Sequence, residues 1–223
     1  MIKQVLNYLT MIGFQMKIND DIYKLLDEYI PNPKCSLDYT RDYELLIATV
    51  LSAQCTDERV NKVTPVLFKK YDIYSLADAS VADVTNIIRP CGNMNKKSIY
   101  IIDIAKRLVS ECDGKVPCDR SYLESLPGVG RKTANVVLAN LFNVPTFAVD
   151  THVERISKRL GIARKNDDVL TVEKKLMKKF DKDKWIKLHH QLLLFGRFYC
   201  TSRNPKCENC KLNIYCRYKT STD

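Results

Sequence analysis

Lys132 follows the run Leu126-Pro127-Gly128-Val129-Gly130-Arg131, which places an amine where a two-glycine turn opens into an apolar segment. A lysine titrates near about 10.4 and is a poor nucleophile at neutral pH; a positive helix terminus and partial desolvation both lower that value and ready the amine to attack a sugar carbon. Asp150, in Phe147-Ala148-Val149-Asp150-Thr151-His152-Val153-Glu154-Arg155, is the carboxylate paired with it. Such a group can stabilise positive charge developing on the sugar and assist later proton transfers. Spacing alone favours a plainer role: Asp150 or Thr151 caps a helix, Thr151 with Glu154 forming a capping box, and Lys132 is a surface lysine touching phosphate.

The turn before Lys132 carries its own chemistry. Gly128 and Gly130 can take positive φ and bring backbone close to a ligand, so that N–H groups and the next helix's positive end hold a phosphate. A tight turn between two core helices is the alternative, but the apolar flank Leu126-Pro127 and the basic pair Arg131-Lys132 favour binding. The contact is assigned to Gly128, Val129, Gly130 and Arg131, and it reads backbone and not base sequence.

The third constellation is Cys200-x6-Cys207-x2-Cys210-x5-Cys216, four soft ligands within seventeen residues. Four thiolates suit zinc or a [4Fe–4S] cluster, and ligand chemistry alone leaves the two open. The basic loop between Cys200 and Cys207 offers Arg203 and Lys206 to phosphates.

These residues must be positioned by helices. Apolar residues recur at helical spacing over 22–30, 43–53, 60–68, 99–109, 134–142, 153–160, 172–180 and 185–198, with a short helical stretch at 121–126. No sustained period-two alternation occurs. Turn signals at 31–33, 90–93, 113–114, 127–130 and 143–145 separate the segments, and an all-α fold of about ten short helices follows. Thirty-six Lys and Arg against twenty-six Asp and Glu give a net charge of +10, spread over several segments, so a polyanion is favoured and folding must assemble the basic surface. An odd cysteine total, nine, argues against a disulfide framework and for a reduced, intracellular, soluble protein. Met1–Ile18 reads as an amphipathic helix, with no cleavage site to mark it as a targeting signal. No apolar run approaches the roughly 20 residues of a membrane span, and 221–223 reads as a frayed end.

In order and spacing the three constellations resemble the endonuclease III family of helix-hairpin-helix DNA glycosylases. The resemblance covers about residues 22 to 219 and rests on Leu51-Ser52-Ala53-Gln54, Leu126 to Leu138, Val149-Asp150-Thr151-His152 and the four-cysteine tail. It implies two helical domains with a DNA cleft between them, a six-helix domain over 34–144 and a cluster domain combining 1–33 with 145–223. It implies a bifunctional glycosylase and abasic-site lyase of base-excision repair acting on oxidised pyrimidines in double-stranded DNA. Lys132 corresponds to the family's Schiff-base nucleophile and Asp150 to its carboxylate. Cys200, Cys207, Cys210 and Cys216 correspond to its [4Fe–4S] site, and Gln54 and His152 to residues that occupy the space left by the extruded nucleotide. Extrusion is required because the chemistry cannot proceed inside the base stack. The implied location is cytoplasm or nucleoid, or nucleus in a eukaryote, and the implied state is monomeric.

One departure stands out. Where relatives carry a bulky apolar wedge after a glycine, this chain has Gly92-Asn93-Met94; either Met94 takes that role or the lesion range differs. The first dozen residues have no family counterpart and are assigned no function. Two rivals remain: a monofunctional adenine glycosylase, disfavoured because 45–51 contains no carboxylate and no further domain follows the cysteines, and a non-catalytic DNA-binding module.

Overall fold

The computed structural model describes residues 17–218. The amphipathic helix expected over Met1–Ile18 lies almost wholly outside the described residues, as does the end at 221–223. The described residues form eleven α-helices and no strand, in agreement with the all-α expectation. They divide into two compact units, one of Cys35–Val144 and one made of the described parts of Met1–Lys34 and Pro145–Asp223.

The Cys35–Val144 unit holds α2 (Asp42–Leu51), α3 (Asp57–Lys70), α4 (Ile73–Ala77), α5 (Val81–Ile88), α6 (Met94–Cys112), α7 (Arg120–Ser125) and α8 (Arg131–Phe142). Every residue of α2 from Tyr43 to Leu51 is buried, so this helix is the core, and α3, α6 and α8 pack against it. Two helices were not foreseen. α4 spans only five residues, too few for periodicity to show, and starts on Asp72, whose carboxylate accepts from Ser75 N at 2.7 Å. α5 is eight residues long with only Val84 and Ile88 buried. α6 begins five residues before the apolar pattern does, because its first turn buries Lys97 instead of an aliphatic residue.

The second unit holds α1 (17–29), α9 (Thr151–Arg159), α10 (Val169–Lys179) and α11 (Trp185–Phe198), followed by the cysteine loop. Ile22, Leu26, Phe147, Val153, Ile156, Leu188, Leu192 and Phe195 form its core. The N-terminal helix is tied to the C-terminal loop by Tyr29, whose hydroxyl donates to Asn209 O at 3.2 Å and accepts from Lys211 N at 2.9 Å. Its ring packs on Phe195 and Tyr199. Fully buried Gln191 adds bonds to Asp27 Oδ1 at 2.8 Å and Ile30 O at 3.0 Å.

Candidate functional site

The hairpin is built by α7, the turn 126–130 and α8. Asp119 caps α7 by accepting from Ser121 N and Tyr122 N, and Val129 N closes the turn on Leu126 O at 3.1 Å. Buried Leu126 and Val129 root the turn in the core. The two glycines differ. Gly128 has φ +76, and a Cβ there would stand 2.6 Å from Tyr100 Cδ2, so both conformation and packing demand glycine. Gly130 is extended, with φ −99 and ψ −179, against the expectation of positive φ at both glycines. A Cβ on it would meet nothing within 4 Å, so no internal contact requires glycine there, and the bare backbone faces open space. No side chain caps α8, whose N-terminus carries exposed Arg131 and Lys132. Both the fold's partial charge and the side chains there favour an anion. Burial pushes the Cys35 thiol up, and a hydrogen bond from the Leu37 backbone offsets part of that shift. No sequence signal pointed to Cys35.

In the same unit, Gln54 is exposed with φ +56, just past the end of α2, and Asn93 is exposed with φ +48, at the N-terminus of α6. Met94 is half-buried against the core. That argues against Met94 as a free apolar wedge and leaves Asn93 at the tip of the turn.

In the other unit Asp150 caps α9. Its Oδ1 accepts from His152 N at 2.9 Å and Val153 N at 2.8 Å, while within its own unit Oδ2 takes no hydrogen bond among the described residues. The capping box expected of Thr151 and Glu154 does not form: Thr151 is the first helical residue, and Glu154 pairs with Lys158 at 2.5 Å. His152 is oriented by Arg155, whose Nη2 lies 3.2 Å from His152 Nδ1 and donates to Gly196 O at 2.7 Å and Cys200 O at 3.1 Å. Gly196 permits this approach of α9 and α11, since a Cβ there would stand 2.9 Å from His152 Cβ.

Cys200, Cys207, Cys210 and Cys216 line one cavity of about 650 Å³ with Tyr29, Phe195, Tyr199 and Tyr218 among its walls. Among the described residues no three His, Cys, Asp or Glu side chains converge closely enough to hold a single metal ion. Burial pushes the Cys210 and Cys216 thiols up, and neighbouring cysteines push them further. Buried Arg159, missed in the sequence, donates to Cys200 Sγ at 3.1 Å, Thr201 O at 2.8 Å and Ser202 O at 3.1 Å, and stacks over Tyr218 at 4.0 Å. It holds the loop that presents exposed Arg203 and Lys206.

A profile of the HhH-GPD superfamily of base excision DNA repair proteins matches residues 47–182, which include the hairpin, Lys132 and Asp150. Endonuclease III of Bacillus subtilis (strain 168) is 45% identical over 193 residues, 86% of this chain and 88% of that protein. This chain belongs to the endonuclease III family. Among solved structures it is similar to a non-covalent endonuclease III–DNA complex, with TM-score 0.88 and 44% identity over 91% of this chain and 95% of that one. A trapped endonuclease III–DNA covalent intermediate gives TM-score 0.85 and 44% identity over 89% and 95%. No described helix of this family member is long and apolar enough to cross a membrane.

Proposed function

We propose that this protein is a bifunctional DNA glycosylase and abasic-site lyase of base-excision repair that removes oxidised pyrimidines from duplex DNA. The observation that carries this reading is Lys132 exposed two residues after Gly130, an extended glycine whose open side no atom of the described residues fills. The likeness to an endonuclease III held covalently on DNA supports it. Backbone at Gly128, Val129 and Gly130 and the Arg131 side chain bind a phosphate, and Gln54 and His152 occupy the space of the extruded nucleotide. The Lys132 amine attacks C1′ as the base departs, and Asp150 Oδ2 stabilises the positive charge on the sugar. The C1′–O4′ bond then breaks, O4′ taking a proton as the ring opens and leaving the Schiff base on Nζ; removal of a C2′ proton breaks the C3′–O bond and expels the 3′ phosphate, and hydrolysis of the imine releases Lys132.

Cys200, Cys207, Cys210 and Cys216 hold a [4Fe–4S] cluster in this reading, supported by their four soft sulfurs lining one cavity of about 650 Å³ and by the family to which the chain belongs. The cluster supplies structural rigidity to the loop carrying Arg203 and Lys206. The unit Cys35–Val144 is the hairpin domain in this reading and the other the cluster domain; the former has seven helices where six were expected, the extra one being α4 or α5.

Borohydride trapping on duplex DNA containing an abasic site or an oxidised thymine tests the assignment. Wild-type protein with intact iron forms a covalent complex on both substrates, and Lys132→Ala, still folded, forms none. Full strand nicking by that variant would sink the role of Lys132; trapping on the abasic site alone would remove the glycosylase step.

A further inference from the structure

Lys97, at the fourth position of α6, is 4% exposed, and among the described residues it meets no carboxylate. Its Nζ donates instead to three carbonyl oxygens, Leu51 at 2.8 Å, Ala53 at 2.7 Å and Cys91 at 2.9 Å. An ammonium has three protons, so its capacity is used in full. Leu51 ends α2 and Ala53 immediately precedes Gln54; Cys91 immediately precedes Gly92-Asn93. Since α2 has no basic residue in its last turn, Lys97 brings a cation to that helix's negative end from another element. A buried cation without a counter-ion is expensive, and an aliphatic side chain would fill the same core position.

The two turns it joins share a second feature. Four non-glycine residues among those described have positive φ: Gln54, Asn93, Asp113 and Asn143. Asp113 and Asn143 end α6 and α8, where a left-handed residue is ordinary. Gln54 lies beyond the Ser52 C-cap of α2 and Asn93 at the N-terminus of α6, so neither closes a helix in that way, and both project exposed polar side chains from turns that one ammonium clamps together.

We propose that Lys97 is a positioning residue for base extrusion: it fixes the Gln54 turn to the Asn93 turn so that both side chains enter the duplex as one rigid unit. This rests on the function proposed above. It also accounts for Asn93 where an apolar wedge was expected: a tip held from behind needs no apolar stacking to keep its place.

The test compares full-length, cluster-containing wild type, Lys97→Met, Lys97→Gln and Gln54→Ala in two assays. One is single-turnover excision of an oxidised thymine from duplex DNA, which requires extrusion; the other is borohydride trapping on a single-stranded abasic oligonucleotide, which does not. Lys97→Met is expected to lose roughly 10- to 100-fold in duplex excision, to trap on the single strand within about twofold of wild type, and to add little to Gln54→Ala in the double variant. Equal losses in both assays, or full additivity with Gln54→Ala, would overturn the proposal, because a lysine that merely stabilises the fold affects both substrates alike. Lys97→Gln, which keeps two donors, decides if the methionine variant does not fold. If neither folds, hydrogen exchange on wild type decides: amides 53–55 and 91–93 opening together support the clamp, and independent opening refutes it. Absence of both activities in wild type would instead refute the function itself.

Discussion

Both hydrogen bonds that Asp150 accepts fall on Oδ1, so asparagine, an equally good N-cap, keeps α9 while removing the charge. Asp150→Asn is therefore expected to unfold within about 0.5 kcal/mol of wild type and to lose excision, whereas Asp150→Ala loses excision and about 1 kcal/mol of stability as well. Chemical denaturation beside single-turnover excision checks this; normal excision by the asparagine variant would reduce Asp150 to a cap. The glycines separate in the same way. Gly128→Ala meets the Tyr100 ring and a left-handed backbone, and should cost about 1–3 kcal/mol. Gly130→Ala meets nothing and should cost under about 1 kcal/mol, yet weaken duplex binding in a gel-shift titration, because its methyl occupies the side on which phosphate approaches. Unchanged binding by Gly130→Ala would move the phosphate site off this turn.

At the scale of elements, α11 carries the heaviest polar burden. Its buried face includes His189, His190 and Gln191 in succession, and His189 Nδ1 lies 2.7 Å from Ala148 O. Burial holds His190 below the ordinary imidazole value of 6.5. The unfolded chain thus binds this proton more readily than the folded one. The stability tied to a neutral His190 is present above pH 6.5 and is lost as pH falls through its lower folded value. The thermal midpoint is expected to decline from pH 7.5 to pH 5.5, and His190→Gln, whatever its own cost, should flatten that slope. An unchanged slope would assign the acid sensitivity to other groups. The same helix owes its contact with α9 to Gly196, where side-chain volume would push His152 and Arg155 from their places.

For the whole molecule, the net charge of +10 is significant only where folding displays it. Arg203 and Lys206 are exposed on a loop held by Arg159 and by the Lys206 N bond to Tyr199 O at 3.0 Å. If each neutralises one phosphate, the Arg203→Ala/Lys206→Ala variant should bind duplex more weakly and show a log affinity against log salt slope shallower by about 2. Fluorescence anisotropy over a salt series reads both quantities. Weaker binding at an unchanged slope would mean that the loop acts through shape and not charge.

The apolar periodicity of 134–142, 153–160 and 185–198 was sufficient for α8, α9 and α11, because a helix face that must bury itself writes its period into the chain. Motif spacing marked Lys132, Asp150 and the four cysteines as candidates, since residues close in sequence share one turn or loop, but spacing alone favoured a cap for Asp150 and a phosphate contact for Lys132, and their proposed catalytic roles came from the family resemblance. α4 escaped notice because five residues are too few to show a period, and α5 because only two of its eight residues are buried. The different demands on Gly128 and Gly130 depend on the Tyr100 ring, which reaches the turn from α6. Apart from the Lys97 bond to Cys91 O, six residues back, Arg155, Arg159 and Lys97 act over 41 to 46 residues of sequence, mainly on backbone carbonyls that carry no residue-specific signature. A backbone acceptor is the same at every position, so which one a buried cation meets is decided only when the chain packs.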